Sequence, residues 1–149
     1  MEKVNFKIDL EIVSHDQVKE HPFVNISLNG YPQFGEILDK DTLVEIDVEI
    51  EDDTENFLSI EYNNKDPRND VVFNGNDIIK DKRVLIKNIT INDIQLDFFS
   101  LDNPESLSYV PIDPTAKSSI GFPATKLSWN GCTTFKFSTP IYIWILENL

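Results

Sequence analysis

Cysteine occurs once, at Cys132, so the chain cannot form a disulfide with itself, and cysteine usage leaves the redox compartment open. Alanine occurs twice in 149 residues, against eighteen isoleucines, a balance that leans away from helix and towards strand. Histidine is nearly as scarce: His15 and His21 share a polar loop with Asp16 and Glu20. Their spacing matches no zinc motif, so this loop reads as a solvated turn. No Gly-x-Ser-x-Gly elbow is present, which removes the common serine-hydrolase arrangement. The most apolar run, Ile141–Leu146, has six residues, whereas a bilayer-spanning helix takes about 20. Met1-Glu2-Lys3 opens a charged, alternating segment with no apolar stretch of the signal-peptide kind. The expectation is a soluble protein made in the cytoplasm, with no membrane contact. Basic residues are also few, thirteen against 26 acids for a net charge of −13, which argues against nucleic acid as a partner.

What the chain has is a 40% hydrophobic fraction and ten phenylalanines, enough to bury one core across a single domain, 1–149. Val4, Phe6, Ile8, Leu10 and Ile12 alternate with polar residues, as do Val44, Ile46, Val48 and Ile50. That period of two marks half-buried strands. Shorter examples run over Val24–Leu28 and Phe57–Tyr62. In Val84–Phe99 the apolar parity changes between Ile91 and Ile94, so a bulge or sharp bend is expected near Asn92-Asp93. Asn-Gly at 29–30, 74–75 and 130–131 signals hairpins. Pro104, Pro111, Pro114 and Pro123 break 101–123 into a long crossover. No stretch has convincing helical periodicity. The fold expected is all-β: an antiparallel β-sandwich, jelly-roll-like, of about eight strands with little or no helix.

Residues 36–55 hold ten acids against the single base Lys40. Within them Glu45, Asp47, Glu49 and Glu51 place a carboxylate about every 6.8 Å along one strand face, read as a solvated face that guards against edge pairing. The segment Asn63–Asp81 is more specific. Asp66, Asn69, Asp70, Asp77 and Asp81 offer the hard oxygens that calcium takes from flexible loops, while their spacing differs from an EF-hand. An Asx-rich loop is equally the ordinary material of turns. Nothing points to a catalytic group.

Three runs carry a resemblance: Phe57-Leu58-Ser59-Ile60-Glu61-Tyr62-Asn63-Asn64-Lys65-Asp66, then Asn76–Asp81, then Ile89–Ile94. With the ending Phe135–Trp144, this pattern resembles small β-sandwich virion proteins of tailed phages. Those in turn are similar to calcium-dependent xylan-binding carbohydrate modules. The resemblance implies a non-enzymatic structural or attachment component of a virion, in contact with other virion proteins or copies of itself. Its alternative is a free-standing calcium-dependent carbohydrate-binding module. On the alternative, Tyr62, Asn64 and Lys65 would face the sugar and the five Asx residues would hold calcium. Tyr109 and Trp129 are further candidates for an exposed ring, and each is equally explained as packing.

Pro140–Leu149 reads as a last strand with Ile141, Ile143 and Ile145 on one face and Tyr142, Trp144 and Leu146 on the other. A terminal strand apolar on both faces is either central or covered by a neighbour. Tyr142 and Trp144 are therefore the expected interface residues.

Overall fold

The computed structural model describes residues 1–66, 68–96, 106–112 and 124–148. The alternating segments become strands: β1 (Glu2–Val13), β2 (Phe23–Leu28), β3 (Tyr31–Ile37), β4 (Thr42–Ile50) and β5 (Glu55–Tyr62). A small hairpin follows, β6 (Val72–Asn74) and β7 (Asp77–Lys80), then β8 (Arg83–Ile91) and β9 (Ile94–Gln95). The later strands are β10 (Leu107–Pro111), β11 (Lys126–Leu127) and β12 (Gly131–Ser138). Helix α1 (Ile141–Asn148) closes the described chain.

One antiparallel sheet has the order β11-β8-β1-β4, with β9 also on β8; the other has the order β10-β12-β5-β2-β3. Their apolar faces meet in one core, where Phe6 of β1 packs edge-on against Phe137 of β12 at 5.4 Å between ring centres. The protein is an all-β sandwich. Most of the 101–123 crossover lies outside the described residues, but β10 falls within it and pairs with β12.

Two turns form as the sequence predicts. Asn29 and Gly30, with φ of 50° and 84°, join β2 to β3 in a two-residue loop between the Leu28–Tyr31 pair, the conformation for which Asn-Gly is favoured. Gly75, at φ 64°, turns β6 into β7 between Asn74 and Asp77. Asn92 and Asp93 are both left-handed and make a full reversal into β9, where Ile91 pairs with Ile94. The parity change inside β8 lies earlier. Asp9 faces Asn88 and Leu10 faces Ile86, so a bulge at Lys87 keeps Val84, Ile86, Ile89 and Ile91 all inward.

Two expectations are corrected. Asn130-Gly131 is no hairpin tip, because β11 and β12 belong to different sheets. Ser128–Asn130 crosses between them, so Leu127 and Phe135 reach the same core from opposite sides. Pro140–Leu149 is not a strand. Ile141–Asn148 forms a helix, with Ile141 and Ile145 buried and Trp144 set edge-on against Phe135 at 5.4 Å. The run is apolar almost all round, so either period fits it. The helical choice is fixed by a distant residue: the Glu2 carboxylate accepts the Ile141 N–H at 2.8 Å, satisfying an otherwise unpaired first-turn donor and favouring the helix dipole.

Candidate functional site

The Asx-rich segment leaves β5 at Tyr62 and returns at β8, so it lies at one end of the sandwich, beside the β1–β2 loop. Arg68 and Asn69 form a turn that Asp66 and Asp70 close. The Asp66 carbonyl accepts the N–H of Asp70 at 2.8 Å, and its carboxylate accepts the Arg68 N–H at 3.0 Å and the Asn69 side-chain amide at 2.7 Å. Those bonds hold the Asp66 carboxyl below its ordinary range, the Arg68 N–H contributing most.

Behind this turn stand two buried lysines. Lys65 donates to Asp81 Oδ1 at 2.6 Å and to the Ser128 carbonyl. Its ammonium also sits 5.6 Å from the centre of the Trp129 ring. Burial draws the Lys65 pKa down, against the upward pull of Asp81. Lys82 donates to the Asn64 carbonyl at 2.8 Å and to Asp70 Oδ2 at 3.3 Å. The Tyr62 hydroxyl donates to the Lys82 carbonyl at 3.1 Å. Tyr62 is wholly buried, and burial followed by the charges of Asp70 and Asp81 pushes its phenol far up.

The five expected calcium ligands are therefore only partly together. Asp66, Asn69 and Asp70 share the turn, Asp81 joins them through Lys65, and Asp77 stands apart in the exposed β6–β7 hairpin. Asp70 Oδ1 is buried with no hydrogen-bond partner among the described residues. Calcium needs six to eight oxygens. Asp70 Oδ2 also accepts the Asp66 N–H, Asp81 Oδ1 accepts the Lys82 N–H, and Asp81 Oδ2 lies 3.7 Å from the Arg83 guanidinium. Two ammonium groups already oppose the buried Asp70 and part-buried Asp81 carboxylates, and a dication would have to enter against them. These residues do not fit calcium. Among the described residues no group of three or more His, Cys, Asp and Glu is placed to hold a metal.

The sugar-facing assignment is corrected as well. Tyr62 presents no surface for a sugar to stack on. Asn64 bridges β2, its amide donating to the His21 carbonyl and accepting the Phe23 N–H. Lys65 is buried in its ion pair. Tyr109 and Trp129 are half-buried, with the Tyr109 hydroxyl donating to the Trp129 carbonyl at 3.2 Å. Both histidines are hydrogen-bonded within the fold. His15 Nε2 bonds the Asp70 carbonyl at 2.8 Å, and His21 Nδ1 bonds the Ser14 hydroxyl at 2.9 Å.

Of the expected interface pair, Trp144 packs into the core while Tyr142 is 54% exposed. Ile143 and Leu146 are exposed beside it. At the opposite end, Phe73, Ile78 and Ile79 are exposed on the β6–β7 hairpin, which belongs to neither main sheet. Taking Asn63–Asp81 for a loop passes over these three, although Val71-Val72-Phe73 and Ile78-Ile79 around Asn-Gly form a legible hairpin signal. Lys82 is another residue that sequence reasoning misses. It shares the inward parity of Val84 and Ile86, and this is the signal that it lies inside. The acidic row Glu45, Asp47 and Glu49 is exposed, and the Asn5 amide donates to Glu45 and Asp47.

No helix of the described residues is long and apolar enough to cross a membrane. Comparison with family models, with curated protein sequences and with solved structures finds no match.

Proposed function

We propose that this chain is a non-enzymatic structural or attachment component of a phage particle, held there by protein–protein contacts. The observation that carries the reading is the outer face of α1. Tyr142, Ile143 and Leu146 are 54%, 54% and 78% exposed on a helix whose other face is anchored in the core. Contiguous exposed apolar groups on a rigid support mark interaction surfaces. The resemblance of the Phe57–Asp66, Asn76–Asp81 and Ile89–Ile94 runs to small virion β-sandwich proteins supports the setting. The Asx-rich end supports it from the other side, being locked by its own lysines rather than open to a ligand.

A second reading, carbohydrate binding, is favoured by one observation away from the residues first expected. Tyr31 is 73% exposed and lines a cleft of about 450 Å³ with Asn29, Gln33, Glu49 and Glu51. This is a ring beside polar hydroxyl-readers.

The test is incorporation. Particles assembled with Leu146→Asp should contain much less of the chain than particles assembled with the wild type, by quantitative mass spectrometry. Asn148→Asp, which adds the same charge elsewhere on the helix, should incorporate normally. Equal incorporation of Leu146→Asp removes the helix from the assembly reading. Total absence of the wild-type chain from purified particles removes the reading itself. Retention of Tyr31-dependent binding on a glycan array would then favour the second one.

A further inference from the structure

We propose that Asn74 is a site of spontaneous deamidation, and that the fold confines this chemistry to one of three Asn-Gly pairs. Asparagine before glycine cyclises readily, because the following residue has no Cβ to hinder its own amide nitrogen. Leu28-Asn29-Gly30, Phe73-Asn74-Gly75 and Trp129-Asn130-Gly131 each set the pair behind a large apolar residue, so sequence alone does not separate them. The proposal is independent of the assembly reading and adds a covalent modification to the exposed β6–β7 hairpin.

Two of the three asparagines are held. The Asn29 carboxamide accepts the Phe57 N–H at 2.8 Å and donates to Asn56 Oδ1 at 2.9 Å. That of Asn130 accepts the Lys65 N–H at 2.8 Å and donates to the Lys65 carbonyl at 2.9 Å, and Gly131 after it is buried. Each is pinned through both its oxygen and its nitrogen, so its Cγ turns onto the next amide only when both bonds break. Asn74 is exposed, and its carboxamide makes no hydrogen bond among the described residues. A Cβ at Gly75 would meet nothing within 4 Å, so water reaches this peptide freely. Gly30 is equally open, which leaves side-chain pinning as the difference between Asn29 and Asn74. Cyclisation also requires the backbone at Asn74 to rotate. The β6–β7 ladder has three residue pairs, shifts register between Val72 and Phe73, and joins neither main sheet. Such an element opens locally at little cost.

In the reaction the Gly75 backbone nitrogen, losing its proton, attacks Cγ of Asn74. The new C–N bond closes a succinimide ring and the Cγ–Nδ2 bond breaks. Nδ2 leaves as ammonia, carrying the proton that Gly75 gave up. Water then opens the ring. Attack at the main-chain carbonyl of Asn74 leaves Gly75 joined through Cγ, an isoaspartyl link, whereas attack at Cγ restores the ordinary chain with aspartate in place of asparagine. Nothing is oxidised or reduced, and water is the one reagent consumed. Either product puts a carboxylate at a position paired with Asp77, and like charges directly opposed weaken a strand pair. The isoaspartyl product also lengthens the backbone of the turn by one methylene.

Ageing the purified chain at mildly alkaline pH, folded and in urea, with peptide mapping by mass spectrometry, tests this. In the folded chain Asn74 should gain isoaspartate and aspartate at least about tenfold faster than Asn29 or Asn130, whose carboxamides must each lose two hydrogen bonds first. In urea the three should react at similar rates. Gly75→Ala, checked for native circular dichroism, should suppress the reaction at Asn74, because its methyl hinders the attacking nitrogen. Folded-state reaction at Asn29 or Asn130 as fast as at Asn74 overturns the proposal, as does an Asn74 that reacts only in urea. An equal preference for Asn74 in urea overturns it too, since the fold would then not be the cause. An undiminished rate in Gly75→Ala removes the cyclisation step and the proposal with it.

Discussion

Lys82 and Asp70 face each other at 3.3 Å with 1% of either side chain exposed. Such a pair contributes little net stability against a well-packed apolar pair, yet breaking it strands a buried charge. Lys82→Met should therefore cost about 3–5 kcal/mol. Lys82→Met with Asp70→Leu should recover most of that loss. Urea unfolding of the two singles and the double would show it, as a large coupling energy. Additive losses would mean that the two groups do not depend on each other.

Calcium should not stabilise the fold. A site filled a hundredfold above its Kd would add about 2.7 kcal/mol, a shift of several degrees in Tm. We expect melting curves in chelator and in millimolar calcium to coincide, because Lys65 and Lys82 already neutralise Asp81 and Asp70. A calcium-dependent rise in Tm would contradict the lysine lock.

Alkaline pH should weaken the protein through Tyr62. Its phenol pKa is raised in the folded state by burial and by Asp70 and Asp81, so the folded chain keeps this proton where the unfolded chain releases it. Stability from this group is whole below the unfolded value of 10.0 and falls as pH climbs above it. Tyrosinate absorbance at rising pH should show a late component that coincides with unfolding. Tyr62→Phe should abolish that component and cost about 1 kcal/mol for the lost bond to the Lys82 carbonyl.

Trp144 and Tyr142, close neighbours in sequence, should behave oppositely. Trp144→Ala removes a ring packed against Phe135 and Phe137 and should cost about 3–5 kcal/mol of stability. Tyr142→Ala should change stability by under about 0.5 kcal/mol. Equal effects in thermal unfolding would show that the helix is seated differently.

Gly131→Ala should destabilise by about 1–3 kcal/mol through crowding. The added methyl would lie 2.5 Å from Cζ of the Tyr109 ring. A neutral result in denaturant unfolding would mean that Tyr109 moves aside freely.

The strands β1, β2, β4 and β5 are legible because each buries one face, and alternation then writes itself into the sequence. The α1 run is not, since Ile141–Leu146 is apolar at every position and its conformation is decided by Glu2, far away in the chain. The crossing at Ser128–Asn130 borrows a hairpin's dipeptide for another purpose. There glycine is required by Tyr109, and no local pattern records that. The Asx-rich end is conspicuous in sequence yet misleading. Its carboxylates are visible there, whereas the pairing of Lys65 with Asp81 and Lys82 with Asp70 appears only when the turn folds back on β8.

β1 sits inside its sheet between β4 and β8, and neither neighbour is adjacent to it in sequence. On a ribosome adding about 5–20 residues per second, β1 emerges first and meets β4 only after residue 50 has appeared. Its second edge waits for residues 83–91. For several seconds of synthesis the segment carrying Val4, Phe6, Ile8 and Leu10 thus has an open hydrogen-bonding edge and an uncovered apolar face. The alternating charges of Lys3, Lys7, Asp9 and Glu11 are what guards it against mispairing in that interval. Neutralising them should lower the yield of soluble protein far more than it lowers the stability of chains that have already folded.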